Sequence, residues 1–142
     1  MKIKSQMVIR IVRAYNWIDS KNQESPNLAG KCKACGKCCD FEKYDHRLFV
    51  TGPEMLYLSA KLHGKKIKLT QKGRCPFNIE GKCSVYKYRF AGCRIFCCNG
   101  DTDFQSQLSE SALDIFKSIC VEFKIPYSYT ELETALEIFV AT

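Results

Sequence analysis

Between Cys32 and Cys39 the chain reads CKACGKCC, four cysteines in eight residues. No helical or strand periodicity explains such a run, so the thiols need a shared chemical purpose. Cys75, Cys83, Cys93 and Cys97 follow at wider spacing, and the 142-residue chain holds ten cysteines in all. Two explanations compete: disulfides in a secreted protein, or thiolate ligands in a reducing compartment.

The N-terminal stretch MKIKSQMVIRIVRAYNWIDS bears on that choice. Lys2, Lys4, Arg10 and Arg13 break it too often for a signal peptide. A transit peptide is the weaker alternative, because Asp19 and the regular helical period suit folded structure. No stretch approaches the roughly 20 apolar residues of a membrane span. The expectation is a cytoplasmic protein, where clustered cysteines mean metal or redox chemistry and no membrane is involved.

Thiolates approach zinc at about 2.3 Å and a tetrahedral site takes four. C-x-x-C is a short spacing at which one turn aims two sulfurs at one ion, and Cys32/Cys35 and Cys35/Cys38 both have it. The overlapping C-x-x-C-x-x-C is also how bacterial ferredoxin runs begin. The vicinal pair Cys38–Cys39 cannot easily aim both sulfurs at one metal, so the two serve different centres or only one is a ligand. A redox dithiol at Cys35–Cys38 is the rival reading, but no βαβ pattern precedes it. Metal is favoured over both the dithiol and a disulfide scaffold.

CKACGKCC, then CPF, then GKCSVYKYRFAGCRIFC, resembles the CxxCxxCC cysteine-cluster family, the YkgJ-like proteins described as zinc- or iron-chelating domains. The positions that carry the resemblance are Cys32, Cys35, Cys38, Cys39, Cys75, Cys83, Tyr86, Arg89, Cys93, Arg94, Phe96 and Cys97. Phe90 stands where that pattern has Pro. Cys98 makes a second vicinal pair, so Cys97 or Cys98 could be the last ligand. The resemblance implies a metal site built from the eight cysteines. A related module in flagellin lysine methylases implies an iron–sulfur cluster.

All-thiolate sites suit both metals. The overlapping motif and the apolar neighbours Phe41, Phe77 and Phe96 tip the balance to an iron–sulfur cluster of the 4Fe–4S kind over Zn²⁺. Electron transfer, sensing or cluster handling is then the expected role. A zinc-stabilised module that binds nucleic acid or protein is the alternative, and a methylase-like enzyme or subunit a third. No phosphate loop, nucleophile elbow or H-E-x-x-H motif appears, so the balance leans away from an enzyme.

Charge is unevenly spread. Residues 1–31 carry six Lys and Arg against two acids, residues 32–98 fourteen against five, and residues 99–142 two against eight. A basic middle segment suits nucleic acid. It also suits thiolate–metal centres, which are net negative, and charge balance is the favoured reading. Arg89 and Arg94 are expected to neutralise thiolates rather than bind carboxylates. His46 and His63 read as surface histidines, and Cys120 as a core thiol.

The fold class expected is α+β and mostly α: one domain over residues 1–142, with a loop-rich, metal-stabilised core at 32–98. An N-terminal helix and linker (1–31) and acidic C-terminal helices (99–142) flank it. Residues 6–19 show a helical stripe of Val8, Ile11, Val12, Tyr15 and Ile18. Residues 21–27 read as a polar linker. A short strand should end near Val50, and Thr51-Gly52-Pro53-Glu54 reads as a helix start with a capping box, the helix carrying Met55, Leu58 and Leu62 inward and stopping at Gly64. Lys65–Leu69 suits an exposed strand, Gly73 and Gly81 tight turns, and Val85–Phe90 a short helix ending near Gly92. A long helix carries Leu108, Ala112, Ile115, Phe116, Ile119, Cys120 and Phe123 on one face and ends at Pro126. Thr130 and Glu133 suggest a second capping box, opening a helix with Leu132, Ala135, Leu136 and Phe139 inward.

Overall fold

Two long amphipathic helices frame the protein. A computed structural model describes residues 5–30, 48–62, 88–96 and 100–140, with the backbone of 78–79 and 82–83. Helix α1 (Ser5–Glu24) buries Met7, Ile11, Ala14, Tyr15 and Ile18, the three- and four-residue steps of a single face. Helix α5 (Thr102–Glu122) buries Leu108, Ala112, Phe116, Ile119 and Cys120 in the same rhythm. The two lie antiparallel. Arg10 near the start of α1 pairs with Glu122 at the end of α5, while the Asp101 N–H donates to the Leu28 carbonyl at 2.7 Å at the other end. Ile11, Ile18, Phe116 and Ile119 are fully buried, each contributing about 1.5–3 kcal/mol.

Helix α2 (Pro26–Ala29) is one short turn after α1. Strand β1 (Phe49–Thr51) runs directly into α3 (Gly52–Lys61), and β4 (Tyr129–Glu131) directly into α6 (Leu132–Val140). The strands pair antiparallel, with Phe49 opposite Glu131, Val50 opposite Thr130 and Thr51 opposite Tyr129. A 2.9 Å bond from the Leu132 N–H to the Leu48 carbonyl prolongs the ladder into α6. This ribbon, α3 and α6 enclose a second apolar cluster: Leu48, Val50, Met55, Leu58, Leu132 and Leu136, with Phe90 closing it. Strands β2 (Asn78–Ile79) and β3 (Lys82–Cys83) form a separate small hairpin, and α4 (Ala91–Ile95) packs on α1 and α5. The described chain is therefore mostly helical with short antiparallel pairings.

Several expectations change. Residues 21–24 are the last turn of α1, not linker. A tertiary contact and a local one hold that turn: Asn22 Nδ2 donates to the Arg94 carbonyl at 3.0 Å, and Lys21 lies over the Trp17 ring one turn back in α1. Pro26 then opens α2 instead of merely breaking the chain. The helix expected at Val85–Phe90 lies partly outside the described residues, and within them its last residue is not α-helical. Phe90 is extended (φ −66°, ψ 162°) and caps α4, which begins one residue later. Gly92 lies inside α4 rather than ending a helix, because a Cβ there would stand 2.7 Å from Leu48 Cδ1. Residues 84–87 lie outside the described residues.

Thr130 is a strand residue opposite Val50, and the Glu133 side chain of the expected capping box lies outside the described residues. Leu132, Ala135 and Leu136 are buried as expected, and the Phe139 side chain lies outside the described residues. Helix α5 stops before Pro126. Lys124 takes a left-handed conformation (φ 56°), and the N–H groups of Lys124 and Ile125 return to the carbonyls of Val121 and Cys120. That is a Schellman stop with lysine where glycine is usual. Helix α3 ends at Lys61, with Leu62 as its cap. Gly64, the strand at Lys65–Leu69 and the turns at Gly73 and Gly81 lie outside the described residues.

Gly100 is a second close approach. A Cβ there would lie 2.7 Å from the Ala29 carbonyl and collide with the Gln105 amide. Gly100→Ala should lower stability by about 1–3 kcal/mol in urea denaturation, since the backbone on one side cannot yield as a side chain would.

Candidate metal-ligand helix and its buried carboxylate

Cys93 is the one expected ligand whose side chain falls within the described residues. It lies on α4, half-buried against the Leu48–Phe90 cluster. Cys83 is placed by backbone alone, opposite Asn78 in the small hairpin. Cys32, Cys35, Cys38, Cys39, Cys75 and Cys97 lie outside the described residues, as do Cys98, His46, His63 and Tyr86. Among the described residues no three His, Cys, Asp or Glu side chains gather as a metal would require. Cys120 is buried in the α1–α5 core and burial pushes its thiol pKa up, consistent with a packing role.

A helix of five residues is far too short to persist alone. Helix α4 is held from both ends. At its start the Ala91 N–H donates to Glu54 Oε1 at 2.6 Å. The same carboxylate takes the Tyr15 hydroxyl on Oε1 at 3.2 Å, and the Thr51 N–H and Thr51 hydroxyl on Oε2, both at 2.9 Å. The capping glutamate read from the sequence is thus also a long-range connector, 39 residues from Tyr15 and 37 from Ala91. Nothing local in the sequence signals this.

At its other end α4 is held by Arg94. Its guanidinium meets Asp19 Oδ2 at 2.8 Å, donates from Nε to the Arg89 carbonyl at 2.9 Å, and stacks 4.3 Å from the Tyr15 ring centre. Of the two roles weighed for Arg94, the described residues show the carboxylate partner, and the cluster thiols other than Cys93 lie outside them. A planar, forked cation suits this mixture of ring face, carboxylate and carbonyl better than lysine would. Tyr15 also packs edge-on against Tyr57 and Phe116, at 5.6 and 6.0 Å between ring centres.

Burial decides the electrostatics. Glu54 is 2% exposed, and desolvation raises its pKa against the opposing pull of the Ala91, Thr51 and Tyr15 bonds. Burial likewise drives the Tyr15 hydroxyl well above its ordinary value, reinforced by the Glu54 charge and opposed by Arg94. Tyr15 therefore stays protonated and remains a donor.

The anchors also locate the ends of the cysteine-bearing segments. A Cβ on Gly92, one residue before Cys93, would touch Leu48, the first described residue after the CKACGKCC segment. Ala29, which precedes Gly30 at the start of that segment, lies against Gly100, just past Cys97 and Cys98. Comparison with protein-family profiles, with curated proteins and with solved structures finds no match to this chain. No helix among the described residues is long and apolar enough to cross a membrane.

Glu54→Gln should cost about 2–4 kcal/mol, because either amide orientation turns an NH₂ toward a backbone N–H. The pH dependence has a definite sign. The folded pKa lies above the ordinary 4.5, so the folded state holds the proton more tightly than the unfolded chain. Stability from this group is full below the ordinary value and falls as pH rises through the raised one. Urea denaturation of wild type between about pH 4 and about pH 7 should show that decline, and Glu54→Gln should lack this component.

Proposed function

We propose that the chain is a metal-binding cysteine-cluster protein akin to the CxxCxxCC family, with an iron–sulfur cluster favoured over zinc. It would serve electron transfer, sensing or cluster handling. The observation that carries this reading is the junction just described. The segment with Cys32, Cys35, Cys38 and Cys39 starts beside Gly100 and ends beside Gly92. Cys93 and Cys97 belong to the chain between those two contacts. Two sets of thiols far apart in sequence thus have their chain ends held by the same two contacts.

The donor chemistry fits. Cys93 is partly accessible, on a helix fixed at both ends, and a pre-positioned thiol of this kind costs little to order on binding. Cys93, with Cys32, Cys35, Cys38, Cys39, Cys75, Cys83 and Cys97, would hold the group. A cluster so held supplies one-electron chemistry, whereas zinc in four thiolates supplies structure alone.

Anaerobic purification with metal analysis and visible spectroscopy tests the reading. A coloured protein carrying iron and sulfide supports the cluster. Colourless protein with zinc moves the assignment to the zinc module, and metal-free protein overturns the metal reading. Cys38→Ser and Cys93→Ser should lower metal content, while Cys120→Ala should leave it unchanged. Equal metal content in all three variants would refute the ligand assignment.

A further inference from the structure

A groove of about 540 Å³ runs between the start of α1 and the end of α5, well along α1 from the Asp19 and Asn22 contacts that hold α4. That volume falls within the roughly 300–1,000 Å³ of small-molecule sites. Three cations line it, Arg10, Arg13 and Lys124, against one acid, Glu122. Arg10 is paired with Glu122 at 3.1 Å, and among the described residues neither Arg13 nor Lys124 has an ion-pair partner. Ile9, half-exposed, and Phe123 supply apolar wall. The groove therefore offers net positive charge beside a hydrophobic surface.

The backbone adds a second, independent observation. Lys124 occupies the left-handed position that ends α5, at φ 56°. Glycine takes this conformation without penalty, and a residue with a Cβ pays about 1–2 kcal/mol. The stop itself needs no side chain, since both of its hydrogen bonds are made by backbone N–H groups. Lysine thus stands here at some cost to stability, and it is one of the residues that line the groove.

The geometry points to a binding site for a small amphipathic organic anion, with its acidic head at Arg13 and Lys124 and its apolar body along Ile9 and Phe123. The site is separate from the cysteines and does not rest on the metal reading. Gln6 adds an amide donor at the rim.

Calorimetric titration at low salt with sodium octanoate, inorganic phosphate and 1-octanol separates head from tail. Octanoate should bind more tightly than phosphate or octanol. Arg13→Ala and Lys124→Gly should each weaken octanoate about two- to fivefold, the range for losing one solvent-exposed charge contact. Lys124→Gly should at the same time raise the urea midpoint or leave it unchanged, because the strained position is relieved. A lysine present only to end the helix could not give reduced binding with undiminished stability. Failure of octanoate to bind wild type, equal binding by wild type and Lys124→Gly, octanol or phosphate as tight as octanoate, or a lowered midpoint in Lys124→Gly would each overturn the proposal.

Discussion

The Glu54 carboxylate accepts four hydrogen bonds from three parts of the chain, and the arrangement of α1, α3 and α4 depends on it. A carboxylate with no exposure is expensive to bury, and its raised pKa records the expense. What the carboxylate secures is backbone. The Ala91 N–H is one of the unpaired donors at the start of α4, and the Thr51 N–H lies where β1 turns into α3. Tyr15 brings α1 to the same point. Removing the acid would leave two buried backbone donors without partners, which costs more than the charge itself is worth as a stabiliser.

From that anchor the role of α4 follows. It is short, it carries Cys93, and its position is set by Glu54 before it and Asp19 beside it. The two apolar clusters meet around it, with Ile95 in one and Phe90 and Cys93 against the other. Neither cluster relies on thiols for its burial apart from Cys120 and the edge contact of Cys93. The described helical frame therefore has a source of stability in its own apolar packing. Cys93 is the point where the frame and the cysteine-bearing segments join.

What was legible in the sequence was what local periodicity controls. The buried faces of α1 and α5 follow from apolar spacing, and Thr51-Gly52-Pro53-Glu54 starts α3 as its residue types demand. The misses share a cause. Residues 21–24 look polar, yet Asn22 is tied to Arg94, 72 residues away. Gly92 looks like a helix stop, yet it is a small residue admitting Leu48. In each case a long-range contact outbid a local preference, and no single-sequence pattern encodes the partner. The second role of Glu54 was hidden for the same reason, because a capping glutamate already had a sufficient local explanation.

The charge pattern changes meaning once the pairings are known. Arg10, Lys21 and Arg94 are matched by Glu122, Glu24 and Asp19. Two of these are solvent-exposed pairs worth at most about 1 kcal/mol. The Arg94–Asp19 pair is drier, with the arginine side chain only 9% exposed, and it fixes the geometry of α4 against α1. The acidic third of the chain thus supplies one counter-charge to the N-terminal helix. By sequence, residues 32–98 carry fourteen Lys and Arg against five acids, and the same segment carries the cysteine cluster. Eight thiolates around metal would absorb much of that excess. A nucleic-acid surface would need that excess left over, so the proposed metal and the nucleic-acid alternative make opposite demands on the same charges.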